Sequence, residues 1–279
     1  MRSISLKKQI SIYIKKHFRI FRNEHGWNFI IFGAIISIVV CGVVGPDMFE
    51  SFEDTKSGFF SIVCASIWIG IFNSIQSICK ERDILQYEHR SGLNISSYVI
   101  SHITYQSIIC FVQMIILMIT YCCFVDFPTE GLIFPHALFE YALTIYLIMF
   151  SSDIMGIFIS SLVKNPATAM TTMPFVLILQ LVLSGVLFDL EGATEIIADI
   201  TISKWGIEAM GSIGNLNDPD LPLKITIKNP EIFLERSAVD AYDYTASHLI
   251  LVWFILILFC IIMSIFSIIR LKFIDRENV

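Results

Sequence analysis

Long apolar runs separated by short polar connections dominate this chain. The runs are continuous and do not alternate between apolar and polar positions, so they indicate helices and not the strands of a barrel. A hydrocarbon layer of about 30 Å needs roughly 20 apolar residues in a helix. The pattern therefore predicts an all-α membrane protein with six transmembrane helices, at residues 28–44, 58–79, 97–125, 132–163, 167–188 and 248–269.

A shorter amphipathic segment precedes the first of these runs, at residues 3–22. With 100° between successive helical residues, Ile10, Ile14, Phe18 and Phe21 share one narrow arc, and lysines and arginines occupy the opposite face. This pattern predicts a helix lying along the membrane surface. We divide the chain into an N-terminal connecting helix at residues 1–27 and a six-span transmembrane domain at residues 28–279.

The composition excludes an ordinary soluble domain. Of 279 residues, 55% are hydrophobic and 16% are charged, whereas soluble domains have about 45–50% apolar and 25% charged residues. All seven cysteines lie in or at the ends of the predicted spans, so no disulfide framework is expected outside the membrane.

Basic residues are distributed unevenly between the two sets of loops. They cluster before the first span, between the second and third spans, and after the last span, whereas acids dominate the loop after the first span and the long loop at residues 189–247. The positive-inside rule then predicts that both termini are cytoplasmic. We expect a multi-pass protein of the cell inner (plasma) membrane, in contact with the lipid bilayer and with no nucleic-acid partner.

The connection between the second and third spans mixes both charge signs with large apolar side chains. It reads SICKERDILQYEHRSGLNISSYVISH from Ser77 to His102 and includes Ile84, Leu85 and Tyr87. A loop that only had to remain hydrated would not need these apolar residues. A short amphipathic helix that docks into a groove on a soluble protein would use them as anchors.

Polar side chains also form stripes inside two of the spans. In the second span Ile62, Ser66, Ile69 and Asn73 share one side of the helix, and a stripe in the third span includes His102. Polar groups in hydrocarbon face other helices or a watery cavity. Interhelical packing and a transport cavity both remain open, as do structural and functional roles for the two acids of the fourth span, Glu140 and Asp153.

Sequence motifs for nucleotide binding and hydrolysis are missing from this sequence. It contains no G-x-x-x-x-G-K-[ST] phosphate loop, no H-E-x-x-H and no G-x-S-x-G. We therefore expect no catalytic residues, metal site or cofactor on this chain.

Two stretches resemble the membrane domains of G-subfamily ABC transporters, which are type-2 export permeases. KERDILQYEHRSGLNISSYVISH is similar to their coupling helix and the start of the third span, and LQLVLSGVLFDLEGATEIIADITISKWGIEAM is similar to their fifth span and the outer helices after it. The residues that match the first motif are Glu81, Arg82, Glu88, Gly92, Ser96, Ser97 and Tyr98.

The resemblance implies a permease that dimerises around a central cavity and is driven by cytoplasmic ATPases. It implies a coupling helix at about residues 81–92 and re-entrant outer helices before the last span. Matching positions place Ile62, Ser66, Ile69, Asn73, Pro174, Ile178 and Leu181 on the cavity wall, Val186 and Leu187 in a hydrophobic valve, and Glu81, Arg82, Ile84, Leu85, Tyr87, Glu88 and Arg90 at the ATPase interface.

Two departures from the family pattern shape these expectations. The ATPase domain that many relatives carry on the same chain is absent from this sequence, so we expect ATP and Mg²⁺ on separate ATPase subunits. The long outer loop lacks cysteines and glycosylation sequons, which suggests a bacterial origin. The second permease copy would be identical, as in a homodimer, or a related permease.

The sequence is compatible with three functional classes. The first is an ATP-driven exporter of an amphipathic small molecule, a lipid or a peptide, with polysaccharide export as its alternative. The second is an intramembrane enzyme using Glu140, Asp153 or His102. The third is a non-catalytic membrane assembly or immunity protein.

Overall fold

The computed structural model describes residues 5–24, 26–128, 130–188, 190, 192–229 and 238–274. Within these ranges the chain forms α-helices and short 3₁₀ turns and contains no strand. In chain order the helices are α1 (Leu6–Asn23), α2 (Trp27–Val44), α3 (Phe52–Ser74), α4 (Ser77–Lys80), α5 (Arg82–Arg90), α6 (Ile95–Phe124), α7 (Ala137–Leu162), α8 (Pro166–Val182), α9 (Ala193–Ala198), α10 (Ile202–Ile213), α11 (Lys224–Lys228) and α12 (Ala246–Lys272).

Five stretches of the described chain are long and apolar enough to cross a membrane: α2, α3 with α4, α6, α7 and α12. The helix at the predicted fifth span, α8, has only 17 residues, or about 26 Å at 1.5 Å per residue. The chain leaves helical geometry after Val182, whereas the sequence predicted a span to residue 188. By length and composition the described chain therefore has five candidate spans, and the sixth stays a prediction.

The centre of the bundle is the crossing of α3 and α7. Gly70 of α3 lies against the backbone of Met149 and the side chain of Ser152, and Gly156 of α7 lies against the hydroxyl of Ser74. A Cβ at either glycine would overlap its neighbour. Small residues allow membrane helices to approach closely. The Ser74 hydroxyl also donates a 2.6 Å hydrogen bond to the main-chain oxygen of Asp153.

The short helix α10 packs into this bundle against α3, α7 and α12. Apart from Lys204 and Trp205, every side chain from Ile202 to Ile213 is buried. By sequence, residues 194–210 are too short and too polar to cross a membrane and predict an amphipathic segment at the outer surface. Of the two helices found there, only α9 exposes large apolar side chains, with Ile196 and Ile197 more than half exposed. The re-entrant course implied by the family resemblance stays a prediction.

The bundle has two chemically different ends. The end that carries α1, α4 and α5 holds most of the basic residues, and we call it the basic end. The end that carries the 3₁₀ turn Pro46–Phe49, the segment after α6 and the segment after α10 is rich in acids, and we call it the acidic end. Helix α1 lies at the basic end and packs along α6.

Candidate coupling site

The mixed-charge stretch at the basic end folds as the helix α5. Its C-terminus is closed by Gly92, whose φ of 108° is a conformation that favours glycine. The amides of Gly92 and Leu93 donate to the carbonyls of His89 and Glu88, at 3.0 Å each. This closure resembles a Schellman cap, and it explains why glycine follows the helix at this position.

One face of α5 is fixed to the membrane domain. Leu85 is 1% exposed and belongs to a cluster with Ile78, Tyr98 and Ile154. The Arg82 guanidinium donates to the carbonyls of Ser161, at 3.2 Å, and Val163, at 2.8 Å.

These carbonyls lie at the C-terminus of α7, where backbone acceptors have no helical partner. A cation there satisfies them and interacts favourably with the helix dipole. Arg82 therefore ties α5 to a central helix of the bundle, and Leu85 packs in the chain's own core.

Two acids connect α5 to the N-terminal helix. Glu88 accepts hydrogen bonds from the Tyr13 hydroxyl at 2.9 Å and from Lys16 Nζ at 3.3 Å. Glu81 lies 3.6 Å from the same Lys16 nitrogen and accepts a bond from the Tyr98 hydroxyl at 3.3 Å. One lysine is thus shared by two carboxylates, and α1, α5 and α6 meet at a single polar cluster.

Burial changes the proton affinities of this cluster. It raises the pKa of Glu81 above its ordinary value, although Lys16 and the Tyr98 hydroxyl act in the opposite direction. Burial, with the hydrogen bond to Glu88 and the charges of Glu88 and Glu81, also raises the pKa of Tyr13. The shared lysine offsets part of the cost of holding two carboxylates together away from water.

Helix α1 contacts α6 through a polar and aromatic stripe. His17 is 5% exposed, and its ring centroid lies 4.6 Å from that of His102 and 5.6 Å from that of Tyr105. Burial, followed by the neighbouring His102 and Lys16, lowers the pKa of His17 to about 2. The Gln9 side-chain oxygen accepts from the amide of Asn94, at 3.0 Å. The sequence pattern did not single out Gln9, Tyr13, Lys16 or His17.

The opposite face of α5 projects from the protein. Ile84 is 54% exposed and Tyr87 is 74% exposed, and Asp83 and Arg90 are exposed on the same side. Two large apolar side chains on a charged helix are typical of a docking surface with a central anchor and a polar rim. We call the exposed face formed by Asp83, Ile84, Tyr87 and Arg90 the α5 docking face.

The predicted cavity positions of the second span lie inside the single chain. Ile62, Ser66 and Ile69 are 1%, 0% and 3% exposed. Asn73 exchanges side-chain hydrogen bonds with Gln113 of α6, at 2.6 and 3.1 Å. These contacts join helices to one another. The four residues reach a cavity between two copies only if neighbouring helices move, and their place on the cavity wall stays a prediction.

The cavity positions predicted on the fifth span, and the predicted valve pair after it, lie closer to the protein surface. Pro174 and Ile178 are exposed on α8, and Leu181 borders a crevice with Trp68 of α3. The pair assigned to the valve lies in the non-helical segment after α8. Val186 packs against the core and Leu187 is 53% exposed.

A pair of buried hydrogen bonds joins α8 to α10. The sequence pattern did not predict this contact. The side-chain and main-chain oxygens of Gln180 accept from the amide and the hydroxyl of Ser203, at 3.0 and 2.5 Å.

The ionisable residues of the fourth span are separated from each other. One oxygen of Glu140 accepts from the amides of Ile133 and Phe134, so this side chain holds the loop before α7. Asp153 lies 13 residues further along α7, about 20 Å away, fully buried and with neither carboxyl oxygen hydrogen-bonded. The described residues contain no group of three or more His, Cys, Asp or Glu side chains that could hold a metal ion.

The described chain is thus a multi-pass helical bundle whose basic end presents an amphipathic helix to solvent. The profile of the ABC-2 type transporter family matches residues 8–213. The chain belongs to this family, and the resemblance to an ABC type-2 permease is confirmed. The likeness to the G subfamily stays a prediction. A comparison with curated proteins gave no match.

Membership of the family fixes the general role of the protein. It is a permease component of an ABC transporter, and members of this family in general pair with ABC ATPase subunits.

Proposed function

We propose that this permease is an exporter, which moves an amphipathic small molecule, a lipid or a peptide out of the cytoplasm or inner leaflet by alternating access. Separate ATPase subunits, carrying ATP and Mg²⁺, would dock at the basic end. The basic end would then face the cytoplasm, with both chain termini, in the inner membrane of a bacterial cell. A second permease copy would complete the central cavity.

The observation that carries this proposal is the construction of α5. Its inner face is held by Arg82, Leu85 and Glu88 to α7, the core and α1. Its outer face exposes Ile84 and Tyr87. A rigidly held helix can transmit the movement of a bound ATPase to the bundle, whereas a mobile loop would move without displacing the other helices.

The α8 surface supports a cavity between two copies. Ile178 and Leu179 are more than half exposed, although they lie on a helix that also packs against α3, α7 and α10. Closure of the cavity by Val186 and Leu187 is part of the proposal, because both follow α8 directly.

The test compares two matched double variants. The tagged permease is purified from its native host in mild detergent, and the vanadate-sensitive Mg-ATP hydrolysis that accompanies it is measured. Ile84→Ser with Tyr87→Ser should lose most of this activity. Ile225→Ser with Ile227→Ser removes two large apolar side chains from α11 that are also more than half exposed, and this variant should retain the activity.

Retention of the ATPase by both variants would exclude α5 as the docking element. Export is then assayed with candidate amphipathic molecules and with polysaccharide, because both remain open as substrates. An ATPase that binds through α5 while no candidate is transported would favour the assembly or immunity role.

A further inference from the structure

The acidic end of the bundle contains a cavity of about 490 Å³. Its walls come from four separate parts of the chain: the 3₁₀ turn after α2, the segment after α6, the segment after α10, and the residues just before α12. Cavities that bind small molecules have volumes of about 300–1,000 Å³. None of the residues assigned above to coupling, the α8 surface or the valve lines this cavity.

Four carboxylates line the cavity, from Asp126, Glu130, Asp218 and Asp220. No lysine or arginine of the described chain lines it. Asp218 has a structural role, because its side-chain oxygen accepts from the Asp220 amide at 2.9 Å. Lys224, the nearest basic residue in sequence, is paired elsewhere, with Asp54 at 2.7 Å. The concentration of one charge sign in a recess gives it a negative potential that attracts cations.

Three aromatic rings complete the lining, from Phe49, Phe127 and Tyr244. Two of them are held by the core. The Phe127 ring lies 4.4 Å from that of Tyr121, and the Phe49 ring lies 5.8 Å from that of Phe59. Aromatic faces attract organic cations as well as apolar groups. A small inorganic cation would need convergent oxygen ligands and would gain little from these walls.

The walls are tied together by hydrogen bonds between distant segments. The Phe52 amide donates to the Pro222 carbonyl at 3.0 Å. The Lys224 amide donates to Glu53 at 2.8 Å, which fastens the segment after α10 to the start of α3. The Asn217 side chain bonds to the main chain of Val239 and Tyr242. The recess is therefore formed before any ligand arrives, so little ordering is needed on binding.

We propose that this cavity is a binding site for an organic cation with an apolar body. The carboxylates supply the charge, and the rings of Phe49, Phe127 and Tyr244 contact the apolar part. The site is separate from the α5 docking face and from the α8 surface, so its occupation does not depend on an ATPase.

The test uses two ions of the same shape and opposite charge, tetraphenylphosphonium and tetraphenylborate. Full-length permease is placed in nanodiscs of uncharged phosphatidylcholine, and binding is measured by equilibrium dialysis after subtraction of empty nanodiscs. Saturable binding of the phosphonium, without saturable binding of the borate, is expected. Absence of saturable phosphonium binding, or equal binding of both ions, would overturn the proposal.

Two charge-matched variants locate the site. Asp126→Asn with Asp220→Asn removes two lining carboxylates and should weaken phosphonium binding about tenfold. Asp47→Asn with Glu50→Gln removes two exposed carboxylates from the same end that do not line the cavity, and its affinity should equal that of the wild type. Equal weakening in the two variants would mean that only the general charge of this end matters, which would refute a site.

The aromatic contribution has its own variant. Tyr244 is 41% exposed, so Tyr244→Leu should fold normally, and it should bind the phosphonium more weakly while leaving the charges in place. Unchanged binding would exclude the aromatic part of the site.

Discussion

The Tyr13 hydroxyl donates a 2.9 Å hydrogen bond to Glu88, a residue 75 positions further along the chain. This bond joins the amphipathic N-terminal helix to the helix that we assign to ATPase docking. Because Lys16 reaches both Glu88 and Glu81, movement of either helix must disturb the same group of charges.

The Tyr13–Glu88 bond can be measured by a double-mutant cycle. Tyr13→Phe and Glu88→Gln should each lower thermal stability in detergent, and the coupling between them should be about 1 kcal/mol. Tyr87→Phe is the control, because this side chain is 74% exposed and should be neutral.

Charge reversal at the same position should have a larger effect. Glu88→Lys places a second cation beside Lys16 and should separate α1 from α5, with weaker ATPase association as the result. Wild-type association and export in this variant would show that Glu88 is not needed for coupling.

Arg82 should be more important for stability than its neighbour Lys80. Arg82→Ala leaves the carbonyls of Ser161 and Val163 without their donor, which should cost about 1–3 kcal/mol. Lys80→Ala, at an exposed position, should change the melting temperature little. A similar shift in both variants would contradict the anchoring role of Arg82.

Adding one methyl group at the α3–α7 crossing should lower the stability of the protein. Gly156→Ala drives a Cβ into the Ser74 hydroxyl, and overpacking of this kind costs about 1–3 kcal/mol. Gly42→Ala is the matched control, because its Cβ would make only an ordinary contact, 3.8 Å from Phe124. Yield and melting temperature of the two purified variants provide the comparison.

The orientation of the protein in the membrane can be tested by labelling two exposed positions, one at each end of the bundle. In a background with Cys122 and Cys123 replaced by serine, Lys228→Cys should react with an impermeant maleimide in intact cells. Ser91→Cys should react only after the membrane is opened. The reverse pattern would invert the proposed topology.

Glu208 should make stability depend on pH. Burial raises its pKa to about 7, with Lys204 opposing the shift and Asp199 adding to it. Below the unfolded-state pKa of about 4.3, both states are protonated. As pH rises toward 7 the unfolded state ionises first, so stability falls, by about 4 kcal/mol over the whole interval.

The comparison with Glu208→Gln isolates this contribution. The variant should lose that part of the pH dependence between about pH 4 and 7.5. Glu195→Gln, an exposed position on α9, should keep the wild-type profile. An unchanged profile in the Glu208 variant would contradict the assignment.

Much of the helical architecture follows from the sequence, because continuous apolar runs have few alternatives in a membrane. The predicted first span at residues 28–44 agrees with α2, and the mixed-charge stretch contains α5. Gly92 marked the end of that helix in the sequence. The limits of α8 were less predictable, because apolar composition continues beyond Val182 whereas helical geometry does not.

The sequence was a poorer guide to which face of each helix contacts the rest of the protein. Hydrophobic periodicity on α1 identified the arc of Ile10, Ile14 and Phe18, but the buried side chains of this helix are Gln9 and His17. In a membrane protein an apolar face meets lipid as readily as protein, so hydropathy does not separate the two. For the same reason the stripe through Ser66 could not be assigned to packing or to a cavity.

The position of α10 also governs how the protein is assembled during translation. It packs against α3 and α7, which are synthesised earlier, and against α12, which is synthesised later. Until α12 has entered the bilayer, α10 therefore lacks one of the three long helices that it packs against. Insertion of α12 thus completes the surface against which α10 packs, and a chain stalled before Ala246 would leave that side of α10 without its partner helix.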